Sequence, residues 1–285
     1  MEFMKRYLSN VISSAIYYGK KIGPLPGGLR ILTYHRVNDI SGDRLSVRPE
    51  EFEKQMEWLT AHEYTGVNIK EGLEILRALP AGRQEAKNLR HVAITFDDGY
   101  LDNYTNAFPI LRKYGYSATV YVITERVESN DVIPAKAGIQ FEIGPPPSRG
   151  RQFLSWDEIK EMNQAGIEIG SHTVSHPRLV SVDLEKARQE ILNSKREIED
   201  KLKSRCESFC YPGGMWNPEL ARSVRECGYS NATTVMPGIN TPEADPFLLK
   251  RTEISGEDSL FEFEKKINGA YDFLHKMWQA AGMLK

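Results

Sequence analysis

The feature that most constrains this chain is a regular alternation, from residue 29 onward, of short apolar runs with segments of helical periodicity. LRILTYH (29–35), the stretch around Tyr64–Val67, HVAITF (91–96), SATVYVI (117–123), GIEIGSH (166–172), ESFCYP (207–212), YSNATTV (229–235) and FLLKRTEI (247–254) read as strands. Between them, Pro49 opens EEFEKQMEWL, with Phe52, Met56 and Leu59 on one helical face. IKEGLEILRAL (69–79), residues 103–113, a charged stretch over 183–203 and residues 259–280 also read as helices. Ser155 with Glu158 forms a capping-box signature for a helix that runs to Ala165 and stops at Gly166. Asn217 and Pro218 cap and open another, running to Cys227. Strands that alternate with helices call for parallel pairing through crossover connections, an α/β fold. An open doubly wound sheet shows the same alternation, but seven or eight strands favour a barrel, and no GxGxxG or P-loop follows any strand. Residues 125–152 break the pattern: four prolines (134, 145, 146, 147) and three glycines (138, 144, 150) mark an irregular insertion.

Composition narrows the function classes. The 285 residues are 40% hydrophobic and 27% charged, with a formal charge of −2, so no basic surface announces a nucleic-acid partner. The three cysteines (206, 210, 227) match no zinc ribbon or redox pair and read as buried thiols. Near the N-terminus, Leu8, Val11, Ile12, Ala15 and Ile16 fall at helical spacing, but Ser9, Asn10, Ser13 and Ser14 break the run. That is too polar for a signal peptide or a membrane span. Residues 1–28 therefore read as an amphipathic helical extension, packed on the body or lying peripherally on a membrane, and residues 29–285 as the barrel. The expected location is the cytoplasm, with peripheral contact at the inner face of a membrane through that helix.

The residues that carry chemistry sit where a barrel would place a site. Asp97 and Asp98 end one strand, His172 ends another, and His176 follows four residues later. In a β/α barrel the carboxyl ends of the strands form the active face. Two imidazoles and a carboxylate make a good ligand set for zinc or another divalent ion, leaving room for water. Adjacent residues at a strand end point different ways, so one aspartate can bind the ion while its neighbour faces the water as general base.

TFDDG (95–99) and SHTVSHP (171–177) resemble the first two motifs of the NodB-like polysaccharide deacetylases, carbohydrate esterase family four. The resemblance covers roughly residues 29–280. It implies a distorted (β/α) barrel of about seven units and a zinc-dependent or related divalent-metal hydrolase that removes acetyl groups from amino-sugar glycans. By resemblance Asp97 is the general base, and Asp98, His172 and His176 are the metal ligands. The family's third motif, Arg-x-Pro-Tyr, is altered to Cys210-Tyr211-Pro212-Gly213. Arg251, in K-R-T-E, is the candidate to supply the missing charge to Asp97, and the Gly213 N–H the candidate oxyanion donor. A late Leu-x-His motif is not evident, and His275 reads as a surface residue. L-T-Y-H (32–35) is instead similar to the rearranged-motif branch typified by poly-N-acetylglucosamine deacetylases, which makes His35 the candidate general acid. Tyr34, Tyr100, Trp156, Tyr211 and Trp216 are candidate sugar-stacking residues, Trp216 foremost because it lies in a loop. The expected substrate is an N-acetylated glycan or glycan precursor. An O-acetyl esterase and a non-catalytic carbohydrate binder are the alternatives.

Overall fold

A computed structural model of the chain describes residues 12–14, 17, 27–79, 89–129 and 152–272. Among these, eight strands form one parallel sheet: β1 (Arg30–Tyr34), β4 (Thr65–Val67), β5 (His91–Phe96), β6 (Thr119–Val122), β7 (Glu168–Ser171), β8 (Ser208–Cys210), β9 (Asn231–Thr233) and β10 (Thr252–Glu253). Their order is β10-β1-β5-β6-β7-β8-β9. β4 pairs with the start of β5, at Thr65–Val67 against His91–Ala93, whereas β6 pairs with its end at Thr95 and Phe96. The open edges meet through an irregular arc: Ala232 N–H donates to Pro246 O at 2.8 Å, Leu249 N–H to Ala232 O at 3.0 Å and Thr234 N–H to Leu249 O at 2.9 Å. That arc closes the sheet into a distorted barrel. A two-residue ribbon, β2 (Arg36–Val37) with β3 (Ser46–Val47), lies outside it and was too short to read from sequence.

The helices are α1 (Pro49–Ala61), α2 (Ile69–Ala78), α3 (Phe108–Tyr114), α4 (Trp156–Gln164), α5 (Leu184–Leu202), α6 (Pro218–Glu226) and α7 (Leu260–Ile267). Their starts follow local chemistry. Asn68 with Glu71 and Ser155 with Glu158 close reciprocal capping boxes on α2 and α4, and Asn217 accepts the Leu220 N–H at the start of α6. The helix expected over 103–113 begins as a single π turn, Asn103–Ala107, before α3. The helix expected over 259–280 is interrupted after Ile267: Asn268 caps α7 and Gly269 turns left-handed at φ 68°. Residues 273–280 and His275 lie outside the described residues.

Strand alternation sorts the side chains. Leu32, Tyr34, Ile94, Phe96, Val120, Val122 and Phe209 join the main core cluster with α1 and the other outer helices. The opposite parity is largely polar: Thr33, Thr95, Thr119, Ser208, Cys210 and Thr233 are all buried. Low on that face, Ile31, Ala93 and Leu249 pack with Ile69, Leu73 and Leu76 of α2. Higher up, it encloses Arg251 and Tyr121. Tyr121 fits there because residue 170 has no side chain: a Cβ on Gly170 would lie 2.5 Å from the tyrosine ring.

At the N-terminus, Ser13 is fully buried and Tyr17 packs edge-on against Phe261 of α7. Lys265 Nζ donates to Ser13 Oγ at 3.1 Å. These contacts support packing on the barrel and give no support to the membrane contact expected of this helix. Leu8, Val11, Ala15 and Ile16 of its apolar stripe lie outside the described residues, as do residues 130–151 of the insertion. No described helix is long and apolar enough to cross a membrane.

Candidate metal and catalytic centre

β5 sets out the two aspartates. The ladder continues past its last residue, with Asp97 N–H donating to Tyr34 O at 3.0 Å. Asp97 therefore keeps the parity of Thr95, facing inward, where it is 4% exposed. The chain then turns left-handed at Asp98 (φ 74°) and Gly99 (φ 71°), which takes the Asp98 carboxylate to the rim. A non-glycine residue in this region carries strain of the kind that clusters at functional sites.

β7 delivers the histidines. Asp98 Oδ1 lies 3.6 Å from His172 Nε2 and 3.7 Å from His176 Nε2. The three ligand atoms are all within 4.8 Å of one another. Tetrahedral zinc with ligand bonds of about 2.1 Å separates its donors by about 3.4 Å, so the trio suits an ion with little adjustment. His172 Nδ1 is 2.8 Å from Cys210 O. With Nδ1–H donating to that carbonyl, the Nε2 lone pair faces the site. Burial first, and then the neighbouring His172, push the His176 imidazole down to about 4, with Asp98 opposing them. His176 is thus neutral, as a ligand must be, near neutral pH.

Asp97 is held differently. Arg251 Nη1 and Nη2 donate to its two oxygens at 2.7 and 2.8 Å. Arg251 also donates from Nε to Thr234 O at 2.8 Å and is itself only 2% exposed. Burial alone would raise the Asp97 carboxyl. The charge and hydrogen bonds of Arg251 outweigh it, with smaller help from His172 and His35, and hold Asp97 well below the usual carboxylate range. Arg251 is thus no surface residue but the partner of Asp97, arriving from the far arc of the barrel. Cys210 sits in the same cluster, with Arg251 Nη2 3.1 Å from its Sγ and Asp97 Oδ2 at 3.6 Å. Cys210 is a buried thiol, as expected, and its contact with Arg251 and Asp97 adds to that expectation.

His35, just past β1, is half-buried, and close enough to Asp97 for its charge to be felt there. Its Nδ1 is buried with no hydrogen-bond partner among the described residues. Asn103 Nδ2 donates to the His35 carbonyl at 2.9 Å and fixes the backbone. Gly213 is exposed and left-handed (φ 62°) in the turn that follows β8.

The aromatic expectations divide. Tyr34 and Tyr211 are 0% exposed, so neither offers a ring face to a sugar. Tyr34 meets Phe52 edge-on, stacks with Phe96 and donates to Gln55 Oε1 at 2.8 Å, and Tyr211 donates to Phe247 O at 3.2 Å. Trp156, at the start of α4, is likewise core. Apolar bulk next to a strand end decided these positions. Tyr100 is mostly buried against Phe153, with Arg36 4.5 Å above its ring. Arg36 is anchored by an ion pair of 2.7 Å to Asp102, a contact the sequence did not disclose. Trp216 is half-buried at the edge of the core.

Comparison with known proteins agrees with this geometry. The polysaccharide deacetylase family model matches residues 84–232, just over half of the 285 residues. The Bacillus subtilis protein YxkH is 30% identical over 230 residues, covering 81% of this chain and 72% of that protein. A Staphylococcus epidermidis poly-beta-1,6-N-acetyl-D-glucosamine N-deacetylase is 25% identical over 295 residues, covering 95% of this chain and 90% of its own. The Streptococcus pyogenes deacetylase PplD, solved with acetate, superposes with a TM-score of 0.69 at 26% identity, over 85% of this chain and 98% of its own. The chain therefore belongs to the polysaccharide deacetylase family.

Proposed function

We propose that this protein is a metal-dependent hydrolase that removes N-acetyl groups from an amino-sugar-containing glycan or glycan precursor, releasing acetate. The observation that carries the proposal is the pairing of two carboxylates with opposite tasks at one strand end. Asp98 meets two imidazoles within 3.7 Å, while Asp97 is pinned by a buried guanidinium at 2.7 Å. The similarity to an N-deacetylase of poly-N-acetylglucosamine supports the amino-sugar substrate.

In this reading a divalent cation, zinc by the preference of two imidazoles and a carboxylate, would be held by Asp98, His172 and His176 and would supply Lewis acidity to the acetamide carbonyl and to water. Asp97 takes a proton from the water whose oxygen attacks the carbonyl carbon. Arg251 keeps that carboxylate charged and aimed. The Gly213 N–H donates to the oxygen of the tetrahedral intermediate. His35 gives a proton to the nitrogen as the C–N bond breaks, leaving acetate and a free amine. Tyr100 and Trp216 remain the candidates to border the sugar.

The test is acetate release by the zinc-loaded protein from β-1,6- and β-1,4-linked N-acetylglucosamine oligomers, beside O-acetylated xylan oligomers. Release from the N-acetylated series is expected. Release from the O-acetylated series alone, or from neither, would sink the proposal.

A further inference from the structure

We propose that Glu190 of α5 is a positioning residue for the cation site, holding the loop that carries His176; this rests on the metal-site reading above. The segment from His172 to His176 is bent against its own preferences. Thr173 (φ 71°) and His176 (φ 60°) are both left-handed, and neither is glycine. For a β-branched threonine that conformation is a genuine outlier, and it persists only where the surroundings over-determine it.

The surroundings can be named. Thr124 and Glu125 donate backbone N–H groups to Thr173 O at 3.2 Å and Val174 O at 3.0 Å. His176 N–H donates to Thr173 Oγ1 at 3.0 Å. The densest restraint is Glu190. One of its oxygens accepts the consecutive N–H groups of Val174 at 3.0 Å and Ser175 at 2.9 Å. The other accepts the Ser175 hydroxyl at 2.8 Å. Four residues further along α5, Ser194 Oγ lies 2.6 Å from Ser171 Oγ, which in turn accepts the Thr173 N–H at 3.3 Å. Residues four apart share a helix face. One face of α5 thus grips the loop on both sides of His172 and immediately before His176.

Three donors from the loop converge on the two oxygens of this one side chain. These bonds place Glu190 on the loop itself, outside the group of side chains that meet around Asp98. Its effect is therefore on where His176 Nε2 rests relative to Asp98.

The experiment is zinc affinity of the full, metal-free chain, by competition with a chromophoric chelator, with circular dichroism to confirm folding. Glu190→Ala is expected to weaken zinc binding by about 10- to 100-fold, the usual cost of losing a group that orients a ligand. Glu190→Gln, which keeps one oxygen for the two N–H groups, is expected to recover most of that loss. Arg188→Ala, on the same helix and paired to Glu226 at the surface, is expected to bind as the wild type does. Amide exchange at Val174 and Ser175 should quicken in Glu190→Ala. If that variant fails to fold, Glu190→Gln against Arg188→Ala decides, and any zinc deficit confined to the former supports the role. Equal affinity in wild type and a folded Glu190→Ala, or in wild type and Glu190→Gln where Glu190→Ala does not fold, would overturn this inference alone. A wild-type protein that binds no zinc would overturn the metal-site reading and this inference together.

Discussion

Replacing Arg251 by methionine is the most searching perturbation of the site. Both members of the Arg251–Asp97 pair are at most 4% exposed, and two hydrogen bonds of 2.7 and 2.8 Å join them. Removing one partner of such a buried pair strands the other charge and costs roughly 3–5 kcal/mol. Adding Asp97→Asn removes the stranded charge and should restore roughly 2 kcal/mol or more of that loss. The pH dependence has a definite sign. In the wild type, Arg251 holds Asp97 below its unfolded value of about 3.9, so the stability this contributes is full above that value and is lost as the pH falls below it. In Arg251→Met burial is opposed only by the weaker pull of His172 and His35, so the folded carboxyl rises above the unfolded value and the sign reverses. The variant's deficit should therefore be largest at neutral pH and shrink on acidification to pH 5. Urea unfolding of the chelator-treated proteins at both pH values, compared by midpoint at a common m, measures this. A loss below about 1 kcal/mol, or one that does not change with pH, would refute the reasoning.

The remaining expectations are simpler. Asp98→Asn and His172→Ala should lose zinc binding and turnover together, whereas Asp97→Asn should keep zinc binding and lose at least about 100-fold in turnover, read by calorimetry and acetate release. Tyr34→Phe should leave KM and kcat unchanged but cost about 1–3 kcal/mol by leaving Gln55 Oε1 unsatisfied; an altered KM would return Tyr34 to the sugar groove. Gly170→Ala should cost about 1–3 kcal/mol in urea unfolding, because its Cβ would lie 2.5 Å from the Tyr121 ring and 3.0 Å from Ser208 O.

Much of the barrel was legible because hydrophobic period and capping chemistry are local. HVAITF became β5 residue for residue, and the capping box at Ser155 and the cap at Asn217 marked their helices. Asp97, Asp98 and His172 were legible as candidates because they directly follow strand ends, and His176 because it repeats the imidazole four residues on. Arg251 was found by asking what replaces a missing charge, and it lies against Asp97. What was lost needed the third dimension. Tyr34 and Tyr211 follow the pattern of core and groove residues equally well, and only their packing separates the two. Glu190 sits in a charged helix that also carries Glu185, Glu197 and Glu199, and no spacing rule sets it apart. FLLKRTEI gave only the two paired residues of β10, because its first half forms the irregular closing arc.

The closing arc also governs when the protein becomes competent. Asp97 and its guanidinium partner are 154 residues apart in the chain. Domains emerge from the ribosome N-terminal end first, so the aspartate is made long before its counter-charge exists. A nascent chain cannot comfortably bury that carboxylate as an anion. It must keep the acid neutral or leave the pocket open until the last strand arrives. The ion pair thus forms only once residue 251 has been made, and a chain that terminates earlier leaves Asp97 without its counter-charge.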